Sequence, residues 1–250
     1  MRRLYLFIIS ILFLSPFIVK GEETETLNYV VSYKWGLIHQ AAGDAIITRT
    51  PHKDGYELKL IGITRPWADR IYKMRDTLIS NVSREHYMPS KYTRIAHEKN
   101  KYSRDEIIFE IQGETTKGTG YKYREKKDGT VTRKDVNIEG NFPAYDILSV
   151  FYFLRDIDFN NLKENETIHA TIFSGDQSEK LTVQCKGKEK IKLKDKTERE
   201  TWHITFKFTT KGGTKSSDDI DCWISEDSSH IPLLIVGSLP VGQIRCTYVP

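Results

Sequence analysis

Cysteine is scarce in this chain of 250 residues, which contains only Cys185, Cys222 and Cys246 and has no CxxC spacing. Three thiols are too few for a scaffold held together by disulfide bonds. In an oxidising compartment one pair could form a disulfide bond and leave one thiol free. Because each cysteine lies in an apolar, strand-like stretch, we expect all three to be small core residues.

Motifs for metal binding and catalysis are also missing from the sequence. It has no HExxH motif, no GxSxG motif and no glycine-rich phosphate loop ahead of a helix. The histidines are scattered singly, at His39, His52, His86, His97, His169, His203 and His230. The sequence therefore predicts no metal and no cofactor. It favours a protein without enzymatic activity, although residues distant in sequence can still assemble a catalytic triad.

Long hydrophobic runs are absent except at the N-terminus. The run 4–19 follows Arg2 and Arg3 and ends close to Gly21, which is the layout of a secretory signal peptide. We predict that residues 1–21 are a cleaved signal peptide and that the mature chain is exported without a membrane span. The alternative is an uncleaved anchor, although a membrane span needs roughly 20 apolar residues.

The chain has little charge of one sign. Removal of residues 1–21 lowers the formal net charge from +4 to +1, because Arg2, Arg3 and Lys20 are lost. A near-neutral chain argues against nucleic acid as a partner, since nucleic-acid binding requires a basic face. Residues 22–250 contain no linker rich in proline, serine or glycine, so we expect a single β-rich domain.

Alternation of apolar and polar residues dominates the mature chain, and residues 202–208 show it most clearly. This pattern is typical of antiparallel sheets with one wet face. We predict about a dozen strands, which are too many for a flat sheet. The fold should be mostly β, with large antiparallel sheets that form a sandwich or a partly open barrel. The strands after the centre of the chain are predicted at 167–173, 180–186, 191–194, 201–208, 220–225, 233–236 and 243–248.

One stretch interrupts the strand pattern. Residues 143–155 are apolar on nearly every side, with Pro143 suited to a first helical turn and Asp146 and Arg155 near the two ends. We therefore predict one buried or capping helix at about 143–155. We expect Asp146 and Arg155 to cap this helix or to pair with strand residues. A shorter helical turn is predicted at 65–72.

Several motifs carry a family resemblance: IYxMRD at 71–76, YDILS at 145–149, and WISED at 223–227. With these motifs, residues 27–248 resemble the exported bacterial proteins called domain of unknown function 3108. The resemblance implies a β-rich protein in the periplasm of a Gram-negative bacterium. It implies no catalytic residue.

Aromatic residues provide the candidate binding site. Five of them could line a pocket for an apolar or amphipathic ligand, or could be ordinary core residues. These candidates are Trp67, Tyr72, Tyr145, Phe151 and Tyr152.

Our leading hypothesis is a non-enzymatic periplasmic binding or envelope-maintenance protein that holds an apolar ligand or an extended peptide. A second hypothesis is a hydrolase built on Asp76, His97 and Asp146, which requires these side chains to lie within hydrogen-bond reach. A third is a structural partner in an envelope complex, which predicts an apolar surface patch. Arg75 and Asp76 are expected to form an inward ion pair.

Overall fold

The computed structural model describes residues 22–193, 195–210 and 217–250, which form fifteen β-strands and two short helices. The predicted signal peptide, residues 1–21, lies outside the described residues. The first half contains β1 (Glu25–Trp35), β2 (Ile38–His52), β3 (Gly55–Thr64), α1 (Pro66–Tyr72), β4 (Met74–Ser83), β5 (Pro89–Glu98), β6 (Lys101–Gln112), β7 (Thr115–Lys126) and β8 (Val131–Asn141). The second half contains β9 (Ala144–Asp146), α2 (Ser149–Arg155), β10 (Thr167–Ser174), β11 (Gln177–Lys192), β12 (Glu198–Thr210), β13 (Ile220–Ser225), β14 (Pro232–Ser238) and β15 (Gln243–Val249).

All of these strands belong to one sheet, in the order β8-β7-β6-β5-β4-β3-β2-β1-β15-β14-β13-β12-β11-β10-β9. Neighbouring strands are antiparallel except β9 and β10, which are parallel. The pairing of β1 with β15 joins the two halves of the chain. The sheet curls into a nearly closed, barrel-like shape, so the predicted mostly β fold with a partly open barrel is confirmed.

Side chains, rather than strand pairing, close the barrel. β8 is an edge strand that contacts β10 and β11 without joining them in the sheet. A Cβ atom on Gly140 of β8 would lie 2.5 Å from Thr171 Cγ2, so the strands approach closely there. At the other end of β8, Lys134 Nζ donates a hydrogen bond to Asp176, in the β10–β11 turn, at 2.6 Å. Lys122 Nζ of β7 donates to the same carboxylate at 3.0 Å.

β9 and β10 lie between two hydrophobic cores. Ala144 and Phe173 pack in a core with residues of β1–β8, whereas Tyr145 and Ile172 pack in a second core with residues of β11–β13. Successive side chains of a strand point to opposite faces. Both faces of β9, and of β10 at Ile172 and Phe173, are therefore buried, whereas His169 earlier in β10 is exposed.

The predicted helix at 143–155 is shorter than expected. α2 begins at Ser149, and the residues Ala144–Asp146 form β9 instead of the first helical turns. Pro143 precedes β9 and does not begin a helix. The apolar run resembled a buried helix because β9 is covered on both faces, and a short apolar run does not distinguish the two structures. The predicted helical turn at 65–72 is confirmed as α1.

The two helices lie at opposite ends of the sheet. Arg155 of α2 pairs with Glu25, the first residue of β1, whereas α1 follows Thr64, the last residue of β3. β1 and β3 run in the same direction because each is antiparallel to β2. β3 has 10 residues, which corresponds to roughly 30 Å. We call these two ends of the barrel the α2 end and the α1 end.

Most predicted strands are present with shifted ends. The segments 180–186 and 191–194 were expected as two strands, but they belong to the single strand β11. β11 continues through an irregularity in its register at Gly187, whose φ is +100°. Glycine adopts such a backbone conformation at little cost, so the strand bends without ending. Lys194, the last residue of the predicted strand 191–194, lies outside the described residues.

Candidate functional site

Three of the five aromatic candidates lie at the α2 end and are part of the core. Tyr145 and Tyr152 are only 2% and 1% exposed. The ring of Tyr152 packs against Tyr87, with centroids 5.2 Å apart, and Phe151 packs edge-on against Tyr29 at 6.1 Å. These rings stabilise the packing around α2.

The other two aromatic candidates are at the α1 end. Trp67 Nε1 donates a hydrogen bond to Ala41 O at 2.7 Å, which attaches α1 to β2. Tyr72 is 42% exposed, and its hydroxyl donates to Glu98 Oε2 at 3.1 Å. The five aromatic side chains therefore do not line one common pocket.

The predicted hydrolase residues do not assemble. Asp76 is paired with Ala96 in the register between β4 and β5 and belongs to the face of β4 that is buried in the interior. His97, the residue after Ala96, points to the opposite face, where it is exposed and contacts the ring of Tyr102. Asp76 and His97 therefore lie on opposite faces of the sheet and cannot share a proton.

Asp146 has a structural role at the start of α2. Its carboxylate accepts hydrogen bonds from Ser80 Oγ at 2.5 Å, from Leu148 N at 2.7 Å and from Ser149 N at 2.8 Å. Burial raises the pKa of Asp146, and these three donors oppose the increase. Asp146 is thus a residue of β9 that binds the backbone ahead of α2, and the N-cap residue of α2 is Leu148. The prediction that Arg155 pairs with a strand residue is confirmed by its ion pair with Glu25.

The expected ion pair between Arg75 and Asp76 is wrong. The two residues are adjacent in β4 and point to opposite faces. Arg75 Nη2 instead donates a hydrogen bond to Asp69 Oδ2 of α1 at 2.7 Å. The hydrogen bonds from Arg75 and from Thr64 lower the pKa of Asp69 to about 2. Asp76 is paired with Arg94 Nη2 at 2.7 Å.

A polar hollow of about 340 Å³ lies on the inner face of β5–β7, beneath the β10–β11 turn. Its walls include Tyr92 and Arg94 of β5, Asp105 of β6, and Lys122 and Arg124 of β7. The charges in this hollow are matched: Arg124 donates two hydrogen bonds to Asp105, and Lys122 donates to Asp176 in the turn. We interpret these pairs as the polar support that holds the β10–β11 hairpin in the barrel.

A second cleft, of about 550 Å³, lies where the barrel does not close by strand pairing. We call it the seam cleft. One wall is the end of β8 and the following turn, residues 139–143; the floor consists of residues 169–171 of β10, 178–180 of β11 and 209–210 of β12. Phe142, in the wall, is 47% exposed. The cleft thus combines an edge strand, an exposed aromatic ring and a sheet face.

The hydrogen-bond pattern of β8 shows which backbone groups face the seam cleft. Lys126 N donates to Thr130 O at one end of the β7–β8 pair, and Phe142 N donates to Glu114 O at the other, each at 2.9 Å. In an antiparallel pair, bonded and non-bonded residues alternate. Even-numbered residues of β8 therefore bond to β7. Odd-numbered residues, including Glu139, direct their N–H and C=O groups towards the open edge.

The described residues include neither a metal-binding group of side chains nor a helix that could span a membrane. Among residues 22–193, 195–210 and 217–250, no group of three or more His, Cys, Asp or Glu side chains could hold a metal ion. In the same ranges, no helix is long and apolar enough to cross a membrane. Cys185 and Cys222 are buried, Cys246 is partly buried, and all three are free thiols.

The fold and the seam cleft define a mostly β, barrel-like protein with an open sheet edge. The chain belongs to the DUF3108 family, described as "Protein of unknown function (DUF3108)", and the family model matches residues 28–248. The family resemblance in the sequence is therefore confirmed. No curated protein matches the chain.

The sequence analysis did not identify the seam cleft. Its wall contains Gly140 and the dipeptide Phe142-Pro143, and the sequence analysis placed Pro143 at the start of the predicted helix. Its floor comes from β10, β11 and β12, which are distant in sequence from β8. Phe142 is the apolar residue of the wall, but a single apolar residue beside a strand end does not indicate a binding site in the sequence.

Proposed function

We propose that this protein is a non-enzymatic binding protein of the bacterial periplasm that holds an extended peptide in the seam cleft. The observation that carries the proposal is the open edge of β8, where Glu139 and Asn141 direct backbone groups into a cleft of about 550 Å³. An extended peptide can add a strand to such an edge by main-chain hydrogen bonds. The exported location rests on the predicted signal peptide.

The two halves of β8 differ in a way that supports this function. The first half carries Arg133, Lys134 and Asp135, and charges on an edge strand discourage pairing with other chains. The second half has only Glu139 as a charged residue and borders the cleft. Strand addition is therefore favoured at the end of β8 where the floor of β10–β12 would receive the side chains of the peptide.

An extended peptide fits the geometry better than an apolar ligand. The aromatic rings that could have lined an apolar pocket at the α2 end, Tyr145 and Tyr152, are covered by protein. The floor of the seam cleft consists of threonine, serine, histidine, lysine and glutamate residues and Ala170, and Phe142 is the exposed ring in its wall. A partner segment with alternating polar and apolar side chains suits these walls. A segment of another envelope protein is one such partner.

The test is selection of peptides from a displayed library on the immobilised mature protein, followed by affinity measurements with the selected peptide. Glu139→Pro removes an N–H that faces the cleft but makes no bond to β7, so the fold should tolerate it. We expect Glu139→Pro to weaken binding at least tenfold. Glu139→Ala keeps the N–H and should change affinity by less than about threefold, since side-chain loss alone is minor at an edge pairing.

Asp135→Pro is the matched control, because it removes an outward N–H from the charged half of β8, away from the cleft. It should leave the affinity unchanged, and thermal unfolding should show that both proline variants are folded. The proposal is wrong if no peptide is selected, or if Glu139→Pro and Asp135→Pro weaken binding equally.

A further inference from the structure

Exposed apolar side chains cluster at the α1 end of the barrel. Leu37, in the β1–β2 turn, is fully exposed, and Trp35 beside it is 54% exposed. Leu239 and Val241, in the β14–β15 turn, are 41% and 54% exposed. We call these four side chains the apolar tips. Singly exposed apolar residues are common, but a contiguous group marks an interaction surface.

The two turns that carry the apolar tips form one surface. β1 pairs directly with β15, so the β1–β2 and β14–β15 turns are neighbours. Tyr33 Oη donates a hydrogen bond to Val241 O at 2.9 Å. Gly242, whose φ is +80°, lies so close that a Cβ atom on it would be 3.2 Å from Trp35 Cβ. The apolar tips are thus held side by side by contacts in the folded chain.

Basic residues occupy the same end of the barrel. A hollow of about 720 Å³ lies between the β5–β6 and β7–β8 turns and the end of α1. We call it the lysine hollow. Four lysines line it, against Glu98 and Asp128, and Tyr72 forms part of its wall. These lysines are Lys99, Lys101, Lys126 and Lys127.

The apolar tips and the lysine hollow are parts of one rim. In sheet order, the connections β7–β8, β5–β6, β3–β4, β1–β2 and β14–β15 are consecutive at the α1 end. The central one is α1, in which Ile71 is 72% exposed and Tyr72 is 42% exposed. The rim therefore passes from basic, through mixed, to apolar without interruption by another described connection.

The rim itself is basic. Its five connections contain five basic residues and two acidic ones, Asp69 and Asp128. Two further connections at the α1 end, β10–β11 and β12–β13, add Asp176, Asp218 and Asp219 among the described residues, and Asp176 is paired with Lys122 and Lys134. The excess of positive charge at the α1 end is therefore confined to the side that carries the lysine hollow.

We propose that the α1 end docks on the surface of an anionic phospholipid bilayer. The apolar tips enter the interfacial layer, where a tryptophan ring is well accommodated. The lysine hollow receives headgroup phosphates, and each lysine near an anionic surface strengthens binding by roughly fivefold. Reversible membrane binding usually requires both apolar side chains that enter the bilayer and basic residues that contact its anionic headgroups. The apolar tips and the lysine hollow share no residue with the lining of the seam cleft.

The test is co-sedimentation of the mature protein with vesicles of phosphatidylethanolamine and phosphatidylglycerol, compared with vesicles of phosphatidylcholine alone. Binding should require phosphatidylglycerol and should weaken as salt is added, because surface charges are screened. Lys99→Glu combined with Lys127→Glu should reduce the affinity at least tenfold. Lys53→Glu combined with Lys196→Glu makes the same charge change at exposed positions of the α2 end and should stay within twofold of the native protein.

Insertion of the apolar tips is tested separately from charge. Leu37→Ser combined with Val241→Ser should weaken vesicle binding at least fivefold, whereas Ile108→Ser, at a residue 52% exposed on the side of the barrel, should have no effect. A polarity-sensitive fluorophore attached at Leu37→Cys should shift to shorter wavelength on binding.

Three results overturn the proposal: no binding to phosphatidylglycerol vesicles, equal loss with the control variants, or binding without a fluorescence shift. If the native protein self-associates but does not bind vesicles, and the Leu37 and Val241 substitutions abolish the self-association, the apolar tips are instead a contact surface for a second copy of the chain.

Discussion

Arg155, the last residue of α2, forms a two-bond ion pair with Glu25, the first residue of β1. Arg155 Nη1 and Nη2 donate to Glu25 Oε2 and Oε1, each at 2.7 Å. The Arg155 side chain is only 9% exposed, and Tyr152 Oη also donates to Glu25, at 3.3 Å. The pair attaches the central helix to the strand that joins the two halves of the sheet.

Arg155→Met should reduce the free energy of unfolding by about 3 kcal/mol, because it removes both hydrogen bonds from Arg155 to a partly buried carboxylate and leaves only Arg49, at 3.9 Å, as a cationic partner. Glu25→Gln should also be destabilising. The double variant should lose less free energy of unfolding than the sum of the two single losses, because the two side chains interact directly. Arg84→Met is the control, because its pair with Glu22 is about half exposed and is worth less than about 1 kcal/mol. Urea unfolding measures all four variants. Additive effects of the two substitutions would contradict this assignment.

The same pair predicts acid sensitivity. Burial raises the pKa of Glu25, but the hydrogen bonds and the charge of Arg155 outweigh burial, so its pKa lies below the ordinary value of 4.5. The contribution of ionised Glu25 to the free energy of unfolding is therefore fully present above about pH 4.5 and is lost as the pH falls through the lower pKa of Glu25 in the folded protein. Unfolding midpoints measured from about pH 6 to about pH 3 should fall more steeply for the native protein than for Glu25→Gln. Parallel curves would exclude Glu25 as the source.

The strand content was predictable because alternation is a local property. Residues 202–208 alternate between the second core and the outer face, as their pattern indicates. The position of β9 was not predictable from the pattern, because it is buried between two cores that come from opposite halves of the chain. A local pattern cannot reveal a burial that distant strands create.

The candidate sites were less predictable than the fold. Asp76 and His97 are close in the sheet, but the register places them on opposite faces, and register depends on pairing that sequence spacing does not define. Tyr145 and Tyr152 were both predicted to lie in the helix; Tyr152 does, whereas Tyr145 is in β9. Their contacts assign both to the core. The seam cleft depends on the approach of β8 to β10 and β11, a tertiary contact without a motif.

Closure of the barrel at Gly140 predicts a steric effect. A Cβ atom there would lie 2.5 Å from Thr171 Cγ2 and 2.7 Å from Ser178 Oγ, so Gly140→Ala should destabilise the fold by about 1 to 3 kcal/mol through overpacking. Gly237→Ala is the control, since no atom lies within 4 Å of its Cβ position. Thermal unfolding compares the two. Equal stability of both variants would show that β8 does not pack closely on the β10–β11 hairpin.

The three cysteines should remain reduced in the folded protein. Cys222 and Cys246 are both paired with Ile235, on the strand between them, and a separation of two strands is about 9 to 10 Å. Cys185 and Cys222 are likewise separated by Ile204. A disulfide bond needs Cα atoms within about 7 Å, and burial raises the pKa of Cys246 to about 11. Alkylation without reductant should add no label to the native protein and three labels after denaturation; fewer labels after denaturation would reveal a disulfide bond.

Tyr92 has a buried hydroxyl without a hydrogen-bond partner among the described residues. The side chain is 1% exposed, and burial raises the pKa of its phenol well above the ordinary value. An unpaired buried polar group costs free energy, so Tyr92→Phe should be neutral or should stabilise the fold by about 1 kcal/mol. Tyr152→Phe is the matched control, because it removes the hydrogen bond to Glu25 and should destabilise by about 1 kcal/mol. If urea unfolding shows that Tyr92→Phe is the more harmful of the two, the hydroxyl of Tyr92 must bind a water molecule or a ligand inside the polar hollow.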